Sequence, residues 1–308
     1  MAHREGWVVV NQVPTRVQTW GGWIEDPLPD GDSVVVCIPG NPGLTSFYST
    51  FLASLHQQLG IPVWICCQAG HELPPLSTRL TCPNDPSLYT TMGQAAHKAA
   101  FLQQYLPANR KLYLIGHSLG AKLVSELLRN DLIARHTLKC YLLMPTLERI
   151  AQTPNGKFLT TLLDLFMTVI IFLAWIFSLF PTGTRVFLIR CWFILSRQHE
   201  VDRGCMEATC QLTRPRQLRN IFTLALNEMV YIRELDMQVL NAHCAKLKVY
   251  FARKDGWAPL SYMESLKKAK PEIDVTVLAE QFQHAFVLDN PEEMADILAQ
   301  EIKKERAK

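Results

Sequence analysis

The stretch Tyr-Leu-Ile-Gly-His-Ser-Leu-Gly at residues 113–120 decides how the rest of the chain is interpreted. An apolar run leads directly into a Gly-x-Ser-x-Gly motif, and residues 121–130 continue with helical spacing. A strand that turns tightly into a helix is the setting of a nucleophile elbow, in which the central serine is exposed on a strained turn. Gly116 and Gly120 remove side chains that would collide where strand and helix meet. The motif therefore predicts that Ser118 is a nucleophile; the alternative is a capping serine in an ordinary strand-to-helix turn.

The residues around Ser118 must also supply N–H donors for the oxyanion that forms when a serine attacks an acyl carbonyl. The N–H of Leu119 lies at the start of the predicted helix and is the first candidate. The second comes from the loop Pro-Gly-Asn-Pro-Gly at 39–43, which follows a strand-like apolar run. Because Pro42 has no N–H, Asn41 is the predicted donor in that loop. The alternative is that the loop is only a stiff turn.

A serine hydroxyl needs a base within hydrogen-bond reach, and the base needs a carboxylate that orients it. His284 follows the last strand-like run and precedes the final helix, where such a base is expected. Asp255 follows the strand-like run at 247–251 and is the predicted acid. Asp289, which is close to His284 in the chain, is the alternative, although an acid near the start of a helix is more often a cap.

The other histidines give weaker signals. His117 precedes the serine but should point away from it on the turn, which favours a packing role. His71 lies in a loop after a strand and either lines the mouth of the site or is structural. His199 and His243 lie away from any predicted strand end.

The pattern along the chain predicts an α/β fold with a mostly parallel central sheet. A strand hairpin comes first, and then strand-like and helix-like runs alternate, which indicates helices on both faces of the sheet. The predicted strands are 7–10, 15–20, 33–38, 61–66, 112–115, 138–144, 247–251 and 273–278, and the predicted helices are 46–58, 88–105, 121–130, 260–268 and 291–304. The alternation stops after Pro145. Residues 1–145 and 246–308 are therefore the predicted core, and 146–245 a helical lid or membrane-associated insertion.

The insertion contains an unusually apolar segment at 158–195. Residues 158–180 carry one charge, Asp164, and about 23 helical residues are about 35 Å long, near the thickness of a bilayer core. A second, shorter apolar run follows a break at Pro181. Because the first run has no polar stripe, the pair predicts a helical hairpin embedded in a membrane leaflet or a lipid-droplet monolayer. The alternative is an apolar cap over the site. Residues 215–240 are expected to form an amphipathic helix on the lipid surface.

Composition excludes several classes of protein. The 308 residues include 31 basic and 28 acidic ones, a formal charge of +3, and no basic tract typical of a nucleic-acid surface. No Cys or His pattern has the spacing of zinc ligands, and neither a metal nor an organic cofactor is expected. The nine cysteines are expected to be buried, reduced thiols. Residues 1–11 contain no apolar segment of signal-peptide length, so a secreted protein is not expected.

These motifs resemble the α/β-hydrolase superfamily over nearly the whole chain, and within it they are similar to the lipid-droplet-associated hydrolase family. The matching sequences are Ile-Pro-Gly-Asn-Pro-Gly at 38–43, Gly-His-Ser-Leu-Gly at 116–120, Arg-Lys-Asp-Gly-Trp at 253–257 and His-Ala-Phe at 284–286. The first is the most discriminating, because many esterases carry His-Gly there. The resemblance implies that Ser118 is the nucleophile, Asp255 the acid and His284 the base.

The resemblance also implies a location on lipid droplets and on the cytosolic face of the endoplasmic reticulum membrane, with 158–195 as the attachment. It implies action on a neutral lipid ester such as a cholesteryl ester. The predicted function is therefore a serine ester hydrolase at a lipid surface. Two others stay open: a droplet-organising protein with a weak or vestigial site, and a thioesterase or small-ester hydrolase with an apolar cap. No protein partner is identified.

Overall fold

The computed structural model describes residues 3–28, 33–195 and 203–307, so His199 lies outside the described residues. Its strands are β1 (His3–Val10), β2 (Val13–Trp20), β3 (Ser33–Ile38), β4 (Val63–Cys66), β5 (Lys111–His117), β6 (Thr137–Leu143), β7 (Leu247–Phe251) and β8 (Asp274–Val277). They form one sheet in the order β1-β2-β4-β3-β5-β6-β7-β8. The pairs β1/β2 and β2/β4 are antiparallel and the remaining pairs are parallel. The predicted mostly parallel sheet is confirmed.

Helices cover both faces of this sheet. They are α1 (Ser49–Leu59), α2 (Thr91–Tyr105), α3 (Leu119–Leu127), α4 (Asp131–His136), α5 (Pro154–Ser178), α6 (Thr182–Leu195), α7 (Arg203–Leu212), α8 (Pro215–Tyr231), α9 (Met237–His243), α10 (Leu260–Ala269), α11 (Phe286–Asp289) and α12 (Pro291–Arg306). α5 to α9 lie between β6 and β7 in the chain, where the alternation of strands and helices is interrupted.

Alternate residues of the inner strands enter two separate cores, because successive side chains of a strand point to opposite faces. In β3, Val34 and Val36 belong to the core beneath α2 and α3. Val35 and Cys37 belong to the core beneath α1 and α12. All four are fully buried. Burial on both faces explains why this strand appears in the sequence as a continuous apolar run.

One capping residue produces a helix that the apolar pattern does not reveal. The helix predicted at 121–130 is α3, which ends at Leu127 and is followed by α4. Between them, the side chain of Asn130 accepts hydrogen bonds from the N–H groups of Leu132 and Ile133 at 3.0 and 3.2 Å. Because asparagine is a strong helix cap, it starts a second helix at this point.

The amphipathic helix of the insertion packs on the protein itself. Ile221, Leu224 and Ala225 on α8 are buried. The prediction that residues 215–240 form one helix lying on a lipid surface is therefore wrong, because the protein covers the apolar face. The segment also breaks after Tyr231 and resumes as α9.

By contrast, α5 and α6 leave their apolar side chains exposed. α5 is 25 residues long and apolar enough to cross a membrane, and only 6% of its most apolar stretch is buried inside the protein. An exposed apolar patch of this extent marks a lipid- or protein-binding surface. We call it the α5–α6 apolar surface, formed by Phe158, Leu165, Phe166, Val169, Phe172, Leu173, Trp175, Leu179, Phe180, Phe187, Leu188, Trp192, Ile194 and Leu195.

We predict that Gly120→Ala lowers the free energy of unfolding by about 3 kcal/mol, because it overpacks the contact of α3 with β3. A Cβ on Gly120 would lie 2.0 Å from the carbonyl oxygen of Ile38. Gly183→Ala is the matched control, since a Cβ there meets nothing within 4 Å and alanine favours a helix. Denaturant unfolding followed by circular dichroism measures both. Equal midpoints would contradict this close approach.

Candidate active site

Ser118 lies between β5 and α3 in a backbone conformation that residues other than glycine seldom adopt. Its φ is 54° and its ψ is −119°, a strained combination that costs about 1–3 kcal/mol. Its N–H donates to the carbonyl oxygen of Leu143 at 3.0 Å. Its own carbonyl oxygen accepts from the N–H groups of Ala121 and Thr146 at 3.0 and 3.3 Å. These bonds tie the turn to α3 on one side and to the end of β6 and the loop after it on the other.

The three side chains predicted for the site lie in one hydrogen-bonded row. The Oγ of Ser118 is 2.9 Å from Nε2 of His284, and Nδ1 of His284 is 2.8 Å from Oδ2 of Asp255. The row forms because the parallel strands β5, β7 and β8 end at the same edge of the sheet. A hydroxyl, an imidazole and a carboxylate in this order can activate a serine for attack on a carbonyl carbon.

The Asp255 side chain is fully enclosed, with 0% of its surface exposed. Its Oδ1 accepts hydrogen bonds from the N–H groups of Trp257 at 2.7 Å and Ala258 at 3.0 Å. Burial alone would raise the pKa of Asp255, but the hydrogen bond and charge of His284, with these two N–H groups, outweigh it and hold the pKa below its ordinary value. Asp255 is therefore a carboxylate at neutral pH. It keeps the proton of His284 on Nδ1 and leaves Nε2 free to accept from the serine.

Asp289, the alternative acid, takes no part in this row. It is the last residue of α11, and among the described residues it has no hydrogen bond to His284, whose Nδ1 is bonded to Asp255. Burial raises the pKa of Asp289. The contacts therefore favour Asp255 as the orienting carboxylate.

The two predicted oxyanion donors lie beside Ser118. Asn41 lines the same cavity as Ser118 and His284, and a Cβ on the adjacent Gly40 would lie 3.0 Å from the Cβ of Ser118. Leu119 begins α3. In the described part of the chain, the backbone N–H groups of Asn41 and Leu119 donate to no other protein group. Both are therefore available to a developing oxyanion.

A second hydrogen-bonded row, which the sequence does not reveal, connects the loop at 39–43 with His284. The N–H of Gly40 donates to the hydroxyl of Tyr48 at 2.9 Å, and this hydroxyl is 2.7 Å from Nδ1 of His117. Nε2 of His117 donates to the carbonyl oxygen of His284 at 2.8 Å, so Nδ1 is the acceptor of the Tyr48 proton. Burial lowers the pKa of His117 to about 3, which keeps the ring neutral. In addition to the packing role expected from the sequence, His117 holds the loops of Gly40 and His284 beside its own turn.

Ser118 and His284 open into a cavity of about 280 Å³. Most of its wall is apolar and comes from Pro42, Ile150, Leu159, Leu212, Leu218, Ile221, Phe222, Ala225, Met229 and Trp257. Asn41 and Glu228 are the other polar residues of the described lining, and Glu228 is a residue that sequence reasoning missed. Nowhere in residues 3–28, 33–195 and 203–307 do three or more His, Cys, Asp or Glu side chains form a group that could hold a metal.

His71 is buried and is not among the residues that line the cavity. Its Nδ1 donates to the carbonyl oxygen of Pro42 at 2.6 Å, and burial lowers its pKa to about 4. As a neutral donor, His71 fixes the loop at 39–43. The structure therefore favours the structural role for His71 over a place at the mouth of the site.

The long apolar helix begins at the active site. The N–H of Asn155, in the first turn of α5, donates to the carbonyl oxygen of Gly256 at 3.0 Å, next to Asp255. One turn later, Leu159 lines the cavity. The same helix therefore contributes to the wall of the cavity and, further along, to the α5–α6 apolar surface.

Comparisons with known proteins agree with this geometry. A family model described as lipid-droplet associated hydrolase matches residues 31–287. The lipid droplet-associated hydrolase of Drosophila melanogaster is 35% identical over 309 residues, covering 98% of this chain and 99% of that protein. The Mus musculus protein of the same name is 32% identical over 313 residues, covering 96% and 94%. A solved membrane phospholipase A, described as a bacterial virulence factor, has a TM-score of 0.66 at 13% identity over 99% of this chain and 87% of its own. That likeness shows the α/β-hydrolase fold alone.

We predict that Asp255→Asn lowers the turnover of a soluble ester by about 10³-fold or more while the melting temperature changes little. The amide cannot hold the proton of His284 on Nδ1, so the base is lost although the shape is kept. Asp289→Asn is the matched control and should stay within about twofold of the wild type, because Asp289 does not contact His284. Equal rates for the Asp255 variant and the wild type would remove Asp255 from the site.

Proposed function

The chain belongs to the lipid-droplet-associated hydrolase family, and from that premise we propose that it is a serine hydrolase of lipid esters at the droplet surface. The observation that carries the proposal is the hydrogen-bonded row of Ser118, His284 and Asp255 at the floor of an apolar cavity. A droplet-associated location is also what the names of the relatives indicate.

In the proposed mechanism, acylation begins when the Oγ of Ser118 attacks the ester carbonyl carbon. Nε2 of His284 takes the serine proton, and Asp255 stabilises the imidazolium through Nδ1–H. The N–H groups of Leu119 and Asn41 donate to the oxyanion of the tetrahedral intermediate. The carbon–oxygen bond to the alcohol then breaks, and the alcohol leaves with the proton from His284.

Deacylation repeats these steps with water as the nucleophile. Nε2 of His284 takes a proton from a water molecule, which attacks the acyl carbon of the Ser118 ester. The same two N–H groups hold the second oxyanion. When that intermediate collapses, the proton returns to the Oγ of Ser118 and the fatty acid leaves. Because the row of His117 and Tyr48 holds the loops of His284 and Gly40 together, both steps use one fixed geometry.

The α5–α6 apolar surface is the proposed attachment to lipid, within the segment 158–195. Inserting its side chains into a droplet monolayer or a leaflet of the endoplasmic reticulum membrane removes them from water. This transfer is favourable by about 25 cal/mol per Å² of apolar surface buried. Since the first turn of α5 is hydrogen-bonded to Gly256 and Leu159 of the same helix lines the cavity wall, insertion would place the cavity mouth near the lipid that contains the substrate. An insoluble ester could then reach Ser118 without crossing water.

The cavity size limits how much of a lipid enters it. A volume of about 280 Å³ lies just below the range of about 300–1,000 Å³ for small-molecule sites. It suits the ester group and part of one chain, while the rest of the lipid stays in the droplet. The family resemblance adds cholesteryl esters to the candidate substrates.

We predict that purified full-length protein releases fatty acid from lipid esters in phospholipid-coated droplets, and that Ser118→Ala lowers the rate by at least about 10³-fold. The assay compares droplets of cholesteryl oleate, triolein and partial glycerides of oleate at equal surface area. Failure of a folded wild-type sample to release oleate from any droplet would contradict the proposal and favour the droplet-organising function.

We predict that replacing Phe166, Phe172 and Trp175 together with serine lowers the droplet-bound fraction at least about tenfold, because each buries a large apolar side chain in lipid. These residues are 49%, 55% and 50% exposed. The control replaces Val9, Leu132 and Leu138 with serine. These residues lie outside the insertion and are 46%, 56% and 38% exposed. Flotation of reconstituted droplets measures binding. Equal binding of the two triple variants would contradict the attachment assignment.

A further inference from the structure

Glu228 lies on α8 and is the acidic residue of the described cavity lining, and the mechanism above does not use it. It is 4% exposed. Its Oε1 accepts a hydrogen bond from Nδ2 of Asn41 at 2.9 Å. Within the described residues, Oε2 has no hydrogen-bond partner and no basic side chain forms an ion pair with Glu228. Glu228 is thus a polar group in a mostly apolar wall.

A buried carboxyl without a cation is more stable in its protonated form. Burial raises the pKa of Glu228 to about 8, and the hydrogen bond from Asn41 offsets only part of this effect. At neutral pH the side chain is therefore a carboxylic acid, with one O–H donor and remaining acceptor capacity. Its natural partner is an uncharged group that can both accept and donate a hydrogen bond, which is a hydroxyl.

Asn41 connects Glu228 with the proposed oxyanion site. Its backbone N–H is the proposed oxyanion donor, and its side-chain amide is bonded to Glu228. Glu228 and the proposed position of the ester carbonyl are therefore both neighbours of Asn41. The Oδ1 of Asn41 is also buried without a partner. That oxygen is not accessible from the cavity, so the O–H of Glu228 is the donor that this part of the wall offers to a bound ester.

We propose that Glu228 is a specificity-determining residue that hydrogen-bonds a free hydroxyl on the alcohol part of the substrate, and that the preferred substrates are partial glycerides. This rests on the proposed function and narrows it, because cholesteryl esters and triacylglycerols have no such hydroxyl. An ester without the hydroxyl would leave the O–H of Glu228 unpaired in a mostly apolar cavity. The free-energy cost of this unpaired group would make the site select against such an ester.

The test uses two micellar substrates with the same acyl chain, 1-oleoylglycerol and its 2,3-di-O-methyl ether, which accepts hydrogen bonds but donates none. Full-length wild type should show a kcat/KM ratio of at least about ten in favour of the free diol. Glu228→Met, of similar length and without a polar group, should bring the ratio close to one. Glu228→Gln retains a donor and an acceptor and should keep the ratio within about threefold of the wild type.

The ratio separates recognition from a purely structural role. If Glu228→Met slows both substrates equally and the ratio is unchanged, Glu228 only holds Asn41 and the proposal is overturned. A wild-type ratio near one overturns it as well, without any variant, so an unfolded variant does not block the test. In both cases ester cleavage by the wild type leaves the proposed function intact. If folded protein cleaves neither ester and releases no fatty acid from any droplet, both the Glu228 proposal and the proposed function are rejected.

Discussion

The strained turn at Ser118 is the constraint on which the rest of the site depends. It exists because α3 approaches β3 so closely that Gly120 faces the carbonyl oxygen of Ile38, and because β6 supplies the acceptor for the Ser118 N–H. The strained backbone of Ser118 costs about 1–3 kcal/mol. The packing of both faces of the sheet offsets this free energy. This turn directs the hydroxyl to His284, and it places the N–H of Leu119, which has no acceptor in the described part of the chain, for its proposed oxyanion role.

The insertion has two physically distinct parts. α8 contributes apolar side chains to the cavity wall, and in the proposed mechanism the N–H groups of Leu119 and Asn41 would act on the developing charge in this low-dielectric site. α5 and α6 keep large apolar side chains in contact with the surroundings, which favours lipid over water. The two parts meet where Leu159 of α5 and Met229 of α8 line the same wall. Attachment and substrate entry can therefore occur through one continuous apolar surface.

The sequence allowed accurate prediction wherever the signal is local. All eight strands overlap segments that the local sequence pattern predicts as strands, and Ser118, Asp255 and His284 follow strands whose ends meet at one edge, although their catalytic roles stay proposals. Tyr48 and Glu228 could not be found in this way. Tyr48 has the pattern of a core aromatic residue, and only the contacts of its hydroxyl with Gly40 and His117 reveal more. Glu228 has the sequence pattern of a solvent-facing residue on an amphipathic helix, and only the docking of α8 over the cavity buries it.

Covalent labelling by a fluorophosphonate probe tests the central claim most directly, because such a probe reacts with an activated serine and requires no knowledge of the natural ester. The experiment compares wild-type protein in a lipid environment with Ser118→Ala and His284→Ala. The geometry predicts rapid labelling of the wild type, none of the Ser118 variant, and labelling of the His284 variant slower by about 10³-fold or more. Absence of labelling in folded wild-type protein, or labelling that persists without Ser118, would contradict the assignment of this row as a working catalytic centre.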